Sequence, residues 1–164
     1  MAKKKINKTN AIRMVEQAKI PYRLHEYAWH EDHLDARTAA KNGSLPIEKV
    51  FKTLLIEGNN TGPIVVCIPA LAEIDLKALA SASGNKRTEL LPLGDLEKTT
   101  GYIRGGTSPI GMKKLYPTFI AQEAEGMETI IVSAGKRGMQ IELNPLDLKE
   151  LTEAKFVAVT AKIN

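Results

Sequence analysis

The stretch GPIVVCIPA, residues 62–70, limits the fold more than any other part of the chain. An apolar run this short, bounded by Gly and Pro and rich in Val and Ile, reads as a strand buried on both faces at the centre of a sheet. The segment before it, KVFKTLLIEG (49–58), reads as a strand entering the same buried sheet. A chain of 164 residues fits one domain and can bury a sizeable core around such a pair. With aromatics at only 5%, that core must rest on Leu, Ile, Val and Ala.

Helices and further strands follow on both sides. Residues 10–18 predict a helix, with Ile12, Val15 and Ala18 as its apolar stripe. YRLHEY (22–27) alternates like a strand, and DARTAAKNG (35–43) reads as a short helix with Asp35 as N-cap and Gly43 near its end. EIDLKALASASG (73–84) predicts a helix capped by Asp75 and ended by Gly84, and LGDLEKTTG (93–101) another short one. PTFIAQ (117–122), TIIVSAG (129–135) and MQIEL (139–143) read as short strands. NPLDLKELTEA (144–154) predicts a helix with Asn144 as cap and Pro145 at its first position, and KFVAVT (155–160) a last strand. The interleaving lacks a regular βαβ rhythm and several late strands are joined by short turns. The expected class is therefore α+β on a curved sheet, not a doubly wound nucleotide fold. No internal repeat, low-complexity segment or linker breaks the chain, so 1–164 reads as a single domain.

Several function classes are excluded or demoted. No apolar run reaches the roughly 18 residues of a membrane span. The basic start, MAKKKINKTN, has no apolar segment behind it and does not read as a signal peptide; residues 1–8 are expected to be a flexible basic N-terminus. Cys67 stands alone, which rules out an internal disulfide and fits a reducing, cytoplasmic compartment. A net charge of +4 is only a mild pull toward polyanions. HEYAWHEDH (25–33) places His30 and His33 where they could share one side of a turn and hold a metal. A solvated polar loop is the favoured reading, because apart from Cys67 in its apolar strand no later His or Cys completes a site. Cys67 has no base or positive field beside it in sequence, and neither Ser108 nor Ser133 lies in a G-x-S-x-G turn.

Two features remain. GYIRGGTSPIG (101–111) holds four glycines in eleven residues, more than a turn requires. It does not match G-x-G-x-x-G, and in SAGKRGM the residue after Lys136 is Arg137 where a P-loop has Ser or Thr. Lys52 lies inside the apolar strand VFKTLL, where a lysine either snorkels to an edge or points into a polar cavity. Glycine-rich backbone N–H groups together with such a charge suit a carbonyl oxygen that gains negative charge.

VFKTLL, TTGYIRGGTSPIG and VSAGKRGMQIEL, in this order and spacing, resemble the bacterial YbaK/EbsC family of free-standing editing domains. The resemblance runs from about Asn10 to Val159. It implies a compact α+β domain with a strongly bent, partly barrel-like mixed sheet and flanking helices. It also implies deacylation of mischarged tRNA, chiefly Cys-tRNA(Pro) and Cys-tRNA(Cys), with no cofactor and no metal. In this reading the substrate's own thiol attacks its ester carbonyl, and the protein supplies placement and charge stabilisation. The residues carried over are Lys52, Gly105 and Gly106 at the reacting ester. Tyr27, Thr53, Gly101, Tyr102, Ser108, Pro109, Ser133 and Gln140 carry over as the pocket. Lys113, Lys114, Lys136 and Arg137 would face the tRNA phosphates. The implied partners are the acceptor 3′ end of a mischarged tRNA and prolyl-tRNA synthetase. At the position of Gln140 some relatives carry an aspartate, which bears on amino-acid specificity. Three alternatives stay open: editing of Ala-tRNA(Pro) with water as the attacking group, a non-catalytic module that binds tRNA or a synthetase, and a disfavoured metal-dependent hydrolase built on His30 and His33.

Overall fold

A computed structural model describes residues 8–29 and 34–161. The flexible start expected for residues 1–7 and the pair His30 and His33 lie outside the described residues. Lys8, the last residue of the expected flexible segment, is held by an ion pair to Glu16 at 2.8 Å.

The strands are β1 (Tyr22–Glu26), β2 (Phe51–Gly58), β3 (Gly62–Pro69), β4 (Thr88–Leu90), β5 (Thr118–Ala121), β6 (Ile130–Lys136), β7 (Met139–Leu143) and β8 (Lys155–Val157). The helices are α1 (Asn10–Gln17), α2 (Ala36–Asn42), α3 (Leu76–Ser83), α4 (Leu96–Thr100) and α5 (Pro145–Thr152). A five-stranded mixed sheet runs β4-β2-β3-β5-β8, and a three-stranded antiparallel sheet runs β1-β7-β6. β3 is the centre of the larger sheet, and Ile64 to Ile68 are at most 1% exposed, as so apolar a strand requires. The mixed α+β class holds, but the strands form two sheets and do not close into a barrel. Among the described residues a parallel bridge from Val50 to Ile131, both fully buried, links the sheets, whose residues share one core.

The caps explain where the helices begin. Asp35, Asp75 and Asn144 each accept a backbone N–H of the first turn of α2, α3 and α5. Pro145 opens α5, where its missing N–H leaves no intrahelical bond unmade. One strand was not expected. β4 is the short, largely polar TEL, and its propensity does not announce it. It pairs with β2 through Ile56–Leu90, Glu57–Glu89 and Gly58–Thr88 because a knot of polar side chains fixes the chain before it. Asn85, 8% exposed, accepts from Asn60 N and Thr61 N and donates to Thr61 Oγ1 and Ser83 Oγ. Asn59 Oδ1 accepts from Lys86 N and Arg87 N. These bonds return the chain to the free edge of β2. The last strand is also shorter than its sequence suggests: it ends at Val157, and Thr160 makes only an isolated bridge to Ile74.

Candidate active site

A cavity of about 610 Å³ opens against β2, β6 and β7. Its polar floor is formed by Tyr27, Lys52, Thr53, Ser133 and Gln140, with Arg104, Gly105 and Thr107 from the glycine-rich stretch. Its rim is apolar: Leu34, Leu90, Leu91, Leu93 and Leu96. The cavity therefore joins two environments in one space.

The floor is fixed by strand register. Ser133 and His25 are the cross-strand neighbours of Gln140, and directly opposed residues in antiparallel strands project to the same face. Gln140 is 5% exposed, and its Oε1 has no hydrogen-bond partner among the described residues. A buried acceptor without a donor costs about 1–3 kcal/mol, so this oxygen is a strong candidate to receive a ligand's N–H or O–H. Tyr27 stands just beyond β1, where its N–H donates to Gly138 O at 2.8 Å. Burial pushes the Tyr27 phenol up, partly offset by the Gly138 backbone and the Gln140 amide. Thr53 pairs in register with Cys67, and their Oγ1 and Sγ approach to 3.8 Å.

Lys52 is half-buried on the cavity wall, so the second of its two sequence readings holds. Desolvation pulls its ammonium down from the ordinary lysine value, and the negative charge of Glu73 partly opposes this. No ion pair within 4.0 Å of its Nζ is found among the described residues. The ammonium is thus a partly dehydrated cation, stronger in its field than a fully solvated one.

Among the described residues the floor carries no activated nucleophile. Burial pushes the Cys67 thiol up to about 12, against a small opposing effect of Thr53. Ser133 Oγ accepts from Gly135 N at 3.2 Å, and His25 Nε2 is held by Glu142 at 2.8 Å, so no Ser–His pair forms here among the described residues. Among the described residues no group of three His, Cys, Asp or Glu could hold a metal.

The glycine-rich stretch divides by role. Gly105, at φ +84°, lines the cavity, and a Cβ there would meet Leu34 Cβ at 3.0 Å. Gly106 does not line it; a Cβ there would run into the backbone of Lys136 and Arg137 at 3.0–3.1 Å, so this glycine lets the loop lie on the β6–β7 turn. Gly101 ends α4 in the left-handed conformation, against the Lys113 side chain. Tyr102 lies outside the cavity: its hydroxyl donates to Ile110 O at 2.6 Å, and its ring covers Gly135. Ser108 is fully buried and its Oγ accepts from Ile110 N. Pro109 and Lys114 line a separate hollow of about 110 Å³. Most of the glycines therefore let chain lie against chain, and only Gly105 faces the space a ligand could enter.

The basic residues also separate. Lys113 Nζ donates to Lys98 O, and Lys136 is exposed at the end of β6. Arg137 Nε donates to Arg104 O at 2.9 Å, and its guanidinium lies 5.2 Å from the Trp29 ring centroid. Arg137 thus ties the glycine-rich loop to the chain following β1, which a phosphate contact alone would not require. Sequence reasoning missed Arg104, the only cation of the glycine-rich stretch, and the entire leucine rim. The signal for Arg104 was present: a charge beside two glycines. The rim residues are scattered over 34–96, and only the fold gathers them.

Residues 30–151 match the family model of the aminoacyl-tRNA editing domain, and the chain belongs to that family of editing domains. Along 163 residues, 99% of each chain, it is 58% identical to an Enterococcus faecalis protein named "Putative Cys-tRNA(Pro)/Cys-tRNA(Cys) deacylase EbsC". It is 27% identical over 117 residues to the uncharacterised Bacillus subtilis protein YwhH, covering 71% of this chain and 74% of that one. Its fold superposes on a crystal structure described as "a putative trans-editing enzyme for prolyl tRNA synthetase", with a TM-score of 0.77 at 18% identity over 93% of this chain and 98% of the other. A hypothetical protein of known structure shares the fold at a TM-score of 0.83, also at 18% identity, over 93% of this chain and all of that one.

Proposed function

We propose that the protein is a trans-acting editing deacylase that removes cysteine from mischarged tRNA(Pro), and from Cys-tRNA(Cys). The observation that carries this reading is the 58% identity, over nearly all of both chains, to a relative bearing that name. The cavity supports it: beside the glycine-rich loop it offers a cation and hydroxyls, and among the described residues no activated nucleophile. The substrate's thiolate attacks its own ester carbonyl, a C–S bond forms, and the C–O bond to the ribose breaks. The products are a four-membered thiolactone and tRNA, whose freed hydroxyl takes up a proton. An attack within one molecule gains the large advantage of prior orientation.

Lys52 and the loop backbone at Gly105 are assigned to the charge that develops on the ester oxygen. Gln140 Oε1 is assigned to the donor groups of the aminoacyl moiety, with Tyr27, Thr53 and Ser133 completing that wall. Gly106, Gly101, Tyr102, Ser108 and Pro109 act by shaping the loop. Lys113, Lys114 and Lys136, together with Arg104, are assigned to the phosphates of the acceptor end. Prolyl-tRNA synthetase is the expected partner in presenting that tRNA, and the cytoplasm the place of action.

The test is a deacylation panel on tRNA(Pro) charged with Cys, Ala, Ser or Pro. Cysteine is expected to leave fastest, with Ala and Ser well behind. The rate should rise with pH toward the ordinary thiol value near 8.5, since the thiol of the protein itself titrates only near 12. S-methylation of the charged cysteine should stop the reaction. Release of alanine at the cysteinyl rate would transfer the protein to the alanine-editing branch, with water attacking. Binding without release of any amino acid would leave only a tRNA-binding module.

A further inference from the structure

We infer that the leucine rim is the seat of the terminal nucleobase of the acceptor strand; this rests on the editing reading above. The cysteinyl group has six heavy atoms. At the ~30 Å³ that each water occupies in the liquid, six such atoms fill less than about 200 Å³. More than half of the 610 Å³ cavity is then left for something covalently joined to the ester. Phosphate and ribose are hydrated groups that gain little from apolar walls. A nucleobase has two apolar faces, and such faces are bound between apolar side chains wherever a base is held out of its stack.

The rim has the chemistry for that group. Leu90 and Leu93 are 58% and 60% exposed, while Leu91 and Leu96 are half-buried behind them. Large aliphatic side chains left in water beside a cavity mark surface awaiting cover. The rim is also tied to the floor. Leu90 pairs with Ile56, and Leu91 N donates to Leu55 O at 3.0 Å, both on the strand that carries Lys52. Three to four residues of strand separate Lys52 from that attachment, about 10–13 Å at ~3.3 Å per residue. A nucleoside ester, with its acyl group on the 2′ or 3′ oxygen and its base on C1′ of one ribose, spans a comparable distance. The leucines offer no hydrogen-bonding group, so they grip the face of the base; among the described residues the charged groups on the cavity wall beside them, apart from Lys52, are Asp35 and Arg104.

The probes are adenosine 5′-monophosphate and ribose 5-phosphate, which share the sugar phosphate and differ in the base. Calorimetry is expected to show the monophosphate binding wild-type protein about tenfold more tightly, with the difference lost in the double variant Leu90→Ser, Leu93→Ser. The same variant should raise KM for Cys-tRNA(Pro) about tenfold. Circular dichroism checks its fold, which two largely exposed positions should not disturb. Equal binding of the two probes to wild-type protein, or no binding of either, overturns the subsite, as does a variant with wild-type KM. Calorimetry needs no turnover. A protein that prefers the monophosphate yet leaves Cys-tRNA(Pro) charged keeps the subsite and loses the deacylase reading; an active protein with equal binding does the reverse.

Discussion

Gln140 lies 5% exposed near the start of β7, locked between Ser133 and His25; Leu93, on the same cavity, is 60% exposed in a single turn of 3-10 helix. The floor is made of polar groups that strand pairing has carried out of water. The rim is made of apolar groups that the fold has left in it. Each is a local departure from the general rule of burial, in opposite directions. The floor should therefore govern what reacts, through fields and unfilled hydrogen bonds. The rim should govern how tightly a ligand stays, through area alone.

The largest expected effect is on the floor. Lys52→Met should lower kcat for deacylation by a factor corresponding to about 2–4 kcal/mol, the range for loss of a group that stabilises developing charge. Stability should not fall with it. The lysine pKa is lowered by folding, so the folded state holds that proton less tightly than the unfolded state. The burial penalty is then full below the folded pKa and fades as pH climbs toward 10.5, the ordinary value. Urea titrations should show any advantage of the variant near neutrality and its narrowing as pH rises toward 10.5. A variant that loses both stability and turnover in proportion would make Lys52 a packing residue.

Two neighbouring glycines sharpen the comparison. Gly106→Ala must displace backbone atoms of the β6–β7 turn and should cost about 1–3 kcal/mol of stability, read as a lower Tm. Gly105→Ala meets the Leu34 side chain instead, with a positive-φ penalty of roughly 1–2 kcal/mol, and should lose more turnover than stability. A reversed order would place Gly105 in the scaffold and Gly106 at the site.

Gln140→Met keeps the volume and removes the unpartnered acceptor. Its Tm should hold or rise, because an unsatisfied buried oxygen costs about 1–3 kcal/mol, while discrimination between cysteinyl and other charged tRNAs declines. A drop in Tm with specificity intact would mean that the amide is structural. The smallest effect belongs to the rim. Leu93→Ala should change stability by less than about 0.5 kcal/mol and lower affinity for the tRNA only modestly.

Legibility in the sequence follows the same division. β3 was readable because a strand buried on both faces must be continuously apolar, and the helix starts were readable because Asp35, Asp75 and Asn144 are caps with a local mechanism. Lys52 stood out because a charge inside an apolar strand is unusual. The rim was not readable. Its leucines look like ordinary core candidates one at a time, and β4 becomes a strand only because the Asn59 and Asn85 side chains deliver it to the edge of β2. The glycine-rich stretch was readable as close packing, but not as to its neighbour. Gly106 and Gly135 accommodate the protein's own chain, which only long-range geometry can tell.

Cys67 is the chain's single cysteine, wholly enclosed, with a thiol that ionises only near 12. With the proposed cysteinyl-tRNA as cargo, itself a reactive sulfhydryl, the protein would run the hazard of being captured by that cargo whenever oxidants are present. Capture by thiol–disulfide chemistry needs an accessible thiolate on the protein, and this chain offers none. Oxidative stress can therefore couple two cargo molecules to each other but not cargo to protein. By the same token, an alkylating reagent added to the folded protein together with Cys-tRNA reports on the cargo sulfur alone.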